Sequence, residues 1–519
     1  MKSRFQQTML NSGISVVTQF SNLVLKFVTQ TFFIMVLGSQ FLGTQSFFVN
    51  LMTFFSCFEF GVSSAFVYAL YEPLAHQRRD QIAALLHLLN IIYRWLALLS
   101  GVVGLVVMLG LHLLHYENEL VAHWQIAYLL ILVNYLLFFL NENKRQLLVA
   151  DQLTYVSVIN QCAVLIVQTT LQVACLMWLP NYLLFLAIQL GCTLVGNWVI
   201  SLQVRRRYPY LKDSQYYQAK IGPSIMNRLK KNLKGVVSTQ ISTILTTVKD
   251  GLLIGLLVSV YLGGIFANYM LLVSGVTLML TQLIKSATAS VGNLMATTDE
   301  DDNREAEKVF MTHYFINFCC TLLAAVCLLG LLNPFIMLWI GAEYVLPKNT
   351  VLLIVLVFAC NQLRQTALIF INAYGLLFQE GIKAAVEILV SVSSSMILVL
   401  QFHLGINGIL LGTLVAQIGI NIWWEPWIVY RYGFKRPLKK YWGRTINYWG
   451  WIAVILMLPL GMPTDLINNV WLNLTLLAIV LVMVSGGWLY IGHRRKPEYH
   501  ATKQLVQQLK ELVLTTVKK

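Results

Sequence analysis

The sequence from Gly235 to Leu294 reads GVVSTQISTILTTVKDGLLIGLLVSVYLGGIFANYMLLVSGVTLMLTQLIKSATASVGNL. Two apolar segments, each long enough to cross a bilayer, flank a short turn predicted at residues 262–264. The first segment carries polar side chains at spacings of three, four and three residues, which place them on one helical face. These side chains are Thr239, Ser242, Thr246 and Lys249, and Asp250 follows directly. Lipid cannot solvate such groups, so the stripe indicates a helix that faces other helices or a wet interior path.

A similar pattern occurs 220 residues earlier. The same shift places the stripe on Gln19, Asn22, Lys26 and Thr29. It also places Tyr261-Leu262-Gly263 on Phe41-Leu42-Gly43. Because stripe and turn agree in one register, we interpret the two segments as a diverged internal repeat. The alternative is that two membrane hairpins share a few small polar residues by chance.

The composition is typical of a polytopic membrane protein. The 519 residues are 57% hydrophobic and only 11% charged, with a mean hydropathy of +0.68. A soluble chain of this length needs far more charge on its surface. All eight cysteines lie in apolar segments, so we interpret them as small buried hydrophobic residues rather than a disulfide set.

The hydropathy pattern predicts an all-α protein with about fourteen transmembrane helices. These spans lie near residues 14–37, 45–71, 88–113, 120–141, 154–179, 181–204, 236–260, 264–288, 312–340, 350–375, 387–405, 407–430, 447–462 and 470–492. With the N-terminus inside, 31 of the 37 Lys and Arg residues fall on the inner side and only Lys348 on the outer side. This bias predicts that both termini are cytoplasmic. It also explains the net charge of +15 without a nucleic-acid partner.

The spans predict two six-helix lobes in parallel orientation, since an even number of spans separates the two copies of the repeat. We expect an N-lobe at 1–204, a basic cytoplasmic linker with an amphipathic helix at 205–234, and a C-lobe at 235–430. Two additional spans follow at 431–492, and a basic amphipathic tail at 493–519.

Enzymatic motifs are scarce. The acidic run Asp299-Glu300-Asp301-Asp302 lies in a short polar loop, and we interpret it as solvated rather than metal-binding. The histidines at 112, 115 and 123 form no fixed ligand set, and no phosphate-binding loop is present. We therefore expect no catalytic residue, no metal site and no cofactor.

Charge inside the membrane is the remaining functional signal. Five cations lie within the expected spans, namely Lys26, Arg94, Lys249, Lys285 and Arg364. Three carboxylates lie there as well, namely Glu59, Asp250 and Glu387. Each such charge costs at least about 2.5–3.5 kcal/mol at mid-bilayer, so it needs a partner or a function.

Two interpretations of these charges stay open. In the first, they pair internally, for instance Lys249 with Asp250 or Lys26 with Glu59. In the second, the cations bind substrate, and the carboxylates couple transport to an ion. As a set, the cations exceed the carboxylates, so a cavity that they line would suit an anion such as a diphosphate.

Several segments resemble the Wzx-type polysaccharide flippases of the multidrug/oligosaccharidyl-lipid/polysaccharide exporter (MOP) superfamily. They are Phe41-Leu42-Gly43, Glu59-Phe60-Gly61-Val62-Ser63-Ser64-Ala65, Leu70-Tyr71-Glu72-Pro73-Leu74-Ala75, Lys249-Asp250-Gly251, Tyr261-Leu262-Gly263, Tyr269 and Val291-Gly292-Asn293-Leu294. The span count and layout agree along nearly the whole chain. One feature departs from the family, which often has an aspartate followed by apolar residues in the seventh span. Here Lys249 precedes Asp250 and makes the local charge neutral.

The resemblance implies a non-enzymatic flippase in the bacterial cytoplasmic membrane. Its cargo would be an undecaprenyl-diphosphate-linked oligosaccharide for surface polysaccharide export. Alternating access would carry the diphosphate past Lys26, Lys249 or Lys285 at the lobe interface. Its partners would include membrane lipids and the polysaccharide polymerase and export machinery. The alternative is a cation-coupled drug or small-solute exporter on the same fold, which would have mostly acidic residues in the cavity. A membrane glycosyltransferase would have a long outer loop or a soluble catalytic domain, which the sequence lacks.

Overall fold

The computed structural model describes residues 4–59, 61–114, 116–212, 226, 229, 248–285, 303–461, 470–496, 498–500 and 502–503. Within these ranges the chain is helical and contains no strand. It forms two compact units, unit 1 at 1–267 and unit 2 at 268–519. Thr239, Ser242 and Thr246 of the polar stripe, the acidic run 299–302 and the segment 291–294 lie outside the described residues.

Unit 1 is built from long helices joined by short connections. They are α1 (Arg4–Leu37), α2 (Ser39–Phe55), α3 (Val62–Ala75), α4 (Arg79–Leu113), α5 (Trp124–Ala150), α6 (Thr154–Trp178) and α7 (Tyr182–Arg207). A helical stretch at 248–257 and the beginning of α8 (Val260–Lys285) complete it.

Unit 2 begins within α8. Its helices are α9 (Asn303–Trp339), α10 (Lys348–Leu363), α11 (Gln365–Ala373), α12 (Leu377–Leu400), α13 (Gly405–Ala416), α14 (Ile422–Ile428), α15 (Lys439–Gly461) and α16 (Val470–His493). Two π-helical segments, Gln417–Asn421 and Val429–Phe434, precede and follow α14.

Eleven helices among the described residues are long and apolar enough to cross a membrane, which confirms an all-α polytopic membrane protein. Three expected spans are not among them. The span near 45–71 is interrupted by a 3₁₀ turn and by Gly61, whose φ of +69° ends the helical path. The span near 236–260 is only partly described, and the one near 447–462 corresponds to α15, whose first turns are polar.

Apolar side chains exposed on the helices fit this assignment. On α4, Leu98, Val102, Leu105 and Leu109 are spaced at intervals of three or four residues and are about half exposed. An apolar stripe of this extent would be unfavourable in water and indicates contact with lipid.

The predicted turn at residues 262–264 is wrong, because these residues lie inside α8 and the chain leaves its helix at 258–259. In the earlier copy the break falls at Gly38, whose φ is +85°, and 38 and 258 are related by the shift of 220. The glycines serve instead for close packing between α2 and α8. A Cβ on Gly43 would lie 2.0 Å from the Val260 carbonyl oxygen, and one on Gly264 would lie 2.2 Å from the Ser39 carbonyl oxygen.

Each unit has its own core. In unit 1, large apolar side chains of α3, α4, α5 and α7 pack together, with Phe66, Leu85 and Ile200 fully buried. In unit 2, aromatic rings join the two additional helices to α9. Phe318 of α9 stacks on Tyr448 of α15 with ring centroids 4.2 Å apart, and both rings contact His493 at the end of α16.

Candidate functional site

Unit 2 contains a buried cluster of charged side chains, here called the charge cluster. It comprises Arg364, Glu380, Lys383, Glu387 and Glu425. Lys383 Nζ lies 3.0 Å from Glu380 Oε1, 3.0 Å from Glu387 Oε2 and 2.6 Å from Glu425 Oε1. Arg364 Nη1 lies 3.2 Å from Glu387 Oε1, and Arg364 also forms an ion pair with Glu425. Lys383 and Glu425 are both 0% exposed.

The helices place these groups by simple spacing. Glu380, Lys383 and Glu387 lie three and four residues apart on α12, so they share one face. Arg364 lies at the junction of α10 and α11, and Glu425 lies on α14 next to Pro426. The cluster therefore joins four helices of unit 2.

The charge cluster carries an excess of negative charge, since it contains three carboxylates and two cations. Glu380 Oε2, Glu425 Oε2 and the side-chain oxygen of Gln417 have no hydrogen-bond partner among the described residues. Gln417 and Glu425 also line a cavity of about 20 Å³, which holds about one water molecule. The cluster thus offers buried oxygen atoms around a small cavity.

The charge cluster revises the sequence analysis in three places. Arg364, expected to bind substrate, and Glu387, expected to couple an ion or pair, are ion-paired with each other. Lys383 and Glu380 are not among the predicted site residues. Both are part of this buried network. The Glu-x-x-Lys-x-x-x-Glu spacing at 380–387 was the signal that could have revealed it.

Of the remaining predicted charges, all but Lys285 lie in unit 1. Lys249, 6% exposed, has its Nζ 2.8 Å from Asp250 Oδ1, so the pairing interpretation describes this residue. Lys26 is exposed on α1 and forms no ion pair with any described residue. Glu59 instead accepts hydrogen bonds from Ser63 and, at 3.1 Å, from the Tyr93 hydroxyl. The side chain of Lys285 lies outside the described residues.

Arg94 lines a cavity of about 530 Å³ between α4, α5 and α7, here called the basic cavity. Three further basic or imidazole side chains line it, namely His87, Lys144 and Arg205. Asn90, Asn143 and Tyr208 add neutral polar groups, and none of its described lining residues is a carboxylate. The basic cavity therefore has the positive excess that the sequence predicted, but from a different set of side chains.

Hydrogen bonds position two side chains of the basic cavity. Lys144 Nζ donates to Asn141 Oδ1 at 2.7 Å and to Ser201 Oγ at 2.6 Å, which ties α5 to α7 without neutralising the charge. Tyr208, just beyond α7, donates its hydroxyl to Asp151 Oδ2 at 2.5 Å. Burial, with the adjacent Asp151 carboxylate, raises the pKa of Tyr208 above its usual range, so the phenol stays neutral.

No family model matches this sequence, and no curated protein matches it. Solved structures do share its fold. One is an inward-facing multidrug resistance MATE family transporter of the MOP superfamily. It superposes with a TM-score of 0.62 at 12% sequence identity, and the alignment covers 80% of this chain and 95% of that transporter. The lipid II flippase MurJ in an inward closed conformation has a TM-score of 0.61 at 14% identity. That alignment covers 94% of this chain and 100% of MurJ. The eukaryotic MATE transporter AtDTX14 has a TM-score of 0.53 at 16% identity. That alignment covers 92% of this chain and 99% of AtDTX14.

Proposed function

We propose that this chain, which has the fold of MOP-superfamily transporters, is a flippase for an undecaprenyl-diphosphate-linked oligosaccharide. The observation that carries the proposal is the basic cavity, where Arg94, Lys144 and Arg205 surround about 530 Å³ and no described lining residue is a carboxylate. Guanidinium groups bind phosphate oxygens through paired, charge-assisted hydrogen bonds, so this lining suits a diphosphate. One neighbour in fold is itself described as a lipid II flippase.

In the proposed mechanism, the diphosphate first binds in the basic cavity from the cytoplasmic side. The positive-inside distribution puts the end of α7, with Arg205, Arg206 and Arg207, on that side. Alternating access then moves the sugar and diphosphate across while the lipid tail stays in the bilayer. Lys26, exposed and not ion-paired among the described residues, is the proposed next contact for the diphosphate.

The experiment measures flipping of a fluorescent lipid-linked diphosphate oligosaccharide in proteoliposomes. We expect the double variant Arg94→Gln/Arg205→Gln to flip at least about tenfold more slowly, since each charged hydrogen bond contributes about 1.5–3 kcal/mol. Arg206→Gln is the matched control, because Arg206 is exposed on α7 and does not line the cavity. Wild-type flipping by the double variant would falsify the proposed role of the basic cavity.

A cation-coupled drug or small-solute exporter is the second candidate, and the charge cluster favours it. Three carboxylates exceed two cations there, and Glu425 Oε2 lies unpartnered among the described residues beside a water-sized cavity. Such a site could take up a proton or a monovalent cation. In this case Glu425→Gln would abolish cation-driven efflux of a cationic dye, and Arg94→Gln/Arg205→Gln would leave that efflux unchanged.

A further inference from the structure

Unit 1 contains a second cavity, of about 240 Å³, between α1, α5, α6 and α7, here called the amide cavity. Its polar lining is rich in carboxamides and consists of Asn22, Arg145, Asn160, Gln161, Gln168 and Thr193. None of its described lining residues is a carboxylate. Arg145 directly follows Lys144 on α5, so two neighbouring cations serve two different cavities.

Two carboxamide oxygens in this lining are buried without a partner. Asn160 is only 7% exposed, and its Oδ1 forms no hydrogen bond with any described residue. Asn22 Oδ1 is in the same state. A buried acceptor without a donor costs about 1–3 kcal/mol, so native proteins keep few of them without a reason. Neither oxygen therefore has a donor within the described part of the chain, and a hydroxyl group on a ligand would supply one.

Arg145 supplies hydrogen-bond donors to the same cavity. One Nη donates to Asn197 Oδ1 at 3.2 Å, which leaves most of the five guanidinium N–H groups available. The nearby Glu142 carboxylate accepts from Gln146 at 2.5 Å and forms no ion pair with Arg145. The guanidinium thus brings a positive charge to the wall of the amide cavity, with the Glu142 carboxylate nearby on α5 but not in direct contact.

The walls of the amide cavity are fixed by contacts between helices. Gly196 brings α7 close to α6, since a Cβ there would lie 2.6 Å from Val164 Cγ2. The Thr29 hydroxyl donates to Thr169 Oγ1 at 3.3 Å between α1 and α6. Asn197 Nδ2 donates to the Leu137 carbonyl at 3.1 Å between α7 and α5. The helices that carry the lining residues are therefore held together by direct contacts.

We propose that the amide cavity binds one carboxylate-bearing sugar unit of the transported glycan, a specificity that rests on the proposed flippase function. About 240 Å³ equals the liquid volume of roughly eight waters, which suits a single monosaccharide. Sugar hydroxyls would donate to the two unpartnered oxygens, and a carboxylate would accept paired hydrogen bonds from Arg145. Chloride or sulfate would satisfy Arg145 alone, and a neutral hexose would satisfy the carboxamides alone.

Saturation-transfer NMR on the purified full-length protein tests this binding with D-glucuronate, D-glucose and sulfate as probes. We expect wild type to bind glucuronate at least tenfold more tightly than glucose, and sulfate to bind without matching it. Arg145→Gln should weaken glucuronate binding at least tenfold, and Arg145→Lys should have an intermediate effect because it keeps the charge without the paired geometry. Arg206→Gln, which removes a cation outside the cavity, should bind as wild type.

Asn160→Leu separates binding from folding. Replacing an unpartnered buried amide by an apolar group of similar size should leave the unfolding temperature unchanged or higher, while glucuronate binding weakens. Equal affinity for glucose and glucuronate, or wild-type binding by both Arg145→Gln and Asn160→Leu, would overturn the inference. Absent glucuronate binding with normal flipping of the lipid-linked diphosphate would overturn this inference alone. Intact glucuronate binding by a protein that does not flip the lipid-linked diphosphate oligosaccharide would overturn only the proposed function.

Discussion

The basic cavity of unit 1 and the charge cluster of unit 2 both contain cations on membrane-spanning helices, with opposite surroundings. Arg94, Lys144 and Arg205 line an open cavity with no carboxylate among its described residues. Arg364 and Lys383 are enclosed by three carboxylates. The same residue types thus line a proposed binding cavity in one unit and form a buried ion-pair network in the other. The number of embedded cations therefore does not reveal their role, because the role depends on which carboxylates the fold brings within reach.

The largest expected effect on stability tests whether the charge cluster holds the helices of unit 2 together. Arg364→Gln would leave the three carboxylates with Lys383 alone. Breaking a buried ion pair by removing one partner costs about 3–5 kcal/mol, so we expect a large drop in unfolding temperature and in folded yield. Thermal unfolding of the detergent-purified protein measures it. The double variant Arg364→Gln/Glu387→Gln should recover part of the loss, and a single variant as stable as wild type would show that the charge cluster is not cohesive.

An intermediate effect is expected at Lys249, which sharpens the comparison because this cation is paired inside unit 1. Lys249→Gln leaves the Asp250 carboxylate without its neighbouring cation, and we expect a loss of about 1–3 kcal/mol. Lys249→Gln/Asp250→Asn should be more stable than the single variant. Denaturant titrations of the three proteins decide this, and equal stability of single and double variants would contradict a structural pair.

The smallest stability effect is expected at Lys26. Because Lys26 is exposed and Glu59 is bonded to Ser63 and Tyr93, Lys26→Gln should change stability by no more than about 0.5 kcal/mol. Its effect on stability should add to that of Glu59→Gln within about 0.5 kcal/mol.

Transport by the same variants separates the two roles of Lys26. Surface polysaccharide in a deletion strain complemented at matched protein levels should be largely lost with Lys26→Gln and partly kept with Lys26→Arg. Rescue by the Lys26→Gln/Glu59→Gln double variant would instead make Lys26 a structural partner of Glu59.

The membrane helices were predictable because a long apolar segment is a local property of the sequence. Eleven of the expected spans appear with similar bounds among the described residues. The two chain breaks, at Gly38 and at 258–259, fall 220 residues apart, although the sequence placed the second turn at 262–264; the internal repeat stays a prediction. The expected lobe boundaries, the membrane orientation and the export partners stay predictions.

The candidate sites were harder to predict because they depend on contacts between distant segments. Glu425 is not among the predicted site residues, because only the fold brings Arg364 and Lys383 against it in a fully buried position. Asn22 belongs to the polar stripe of the first hairpin, but that stripe does not predict a cavity shared with Asn160, which is an isolated carboxamide in an apolar segment. Gly264 was assigned to a turn, since its packing role appears only when Ser39 of a distant helix is placed against it.

The position of Glu425 in the charge cluster depends on the number of residues in the π-helical segment Gln417–Asn421, and not only on which residues they are. Gln417, Asn421 and Glu425 are four residues apart, and on a regular α-helix such positions drift steadily around the axis. An i→i+5 turn holds more residues than an α-helical turn and offsets this drift. Deleting Gly419 would preserve every charged group and every apolar side chain of this segment. It would nevertheless rotate Glu425 away from Arg364 and Lys383, so the number of residues in this turn is itself part of the information that specifies the charge cluster.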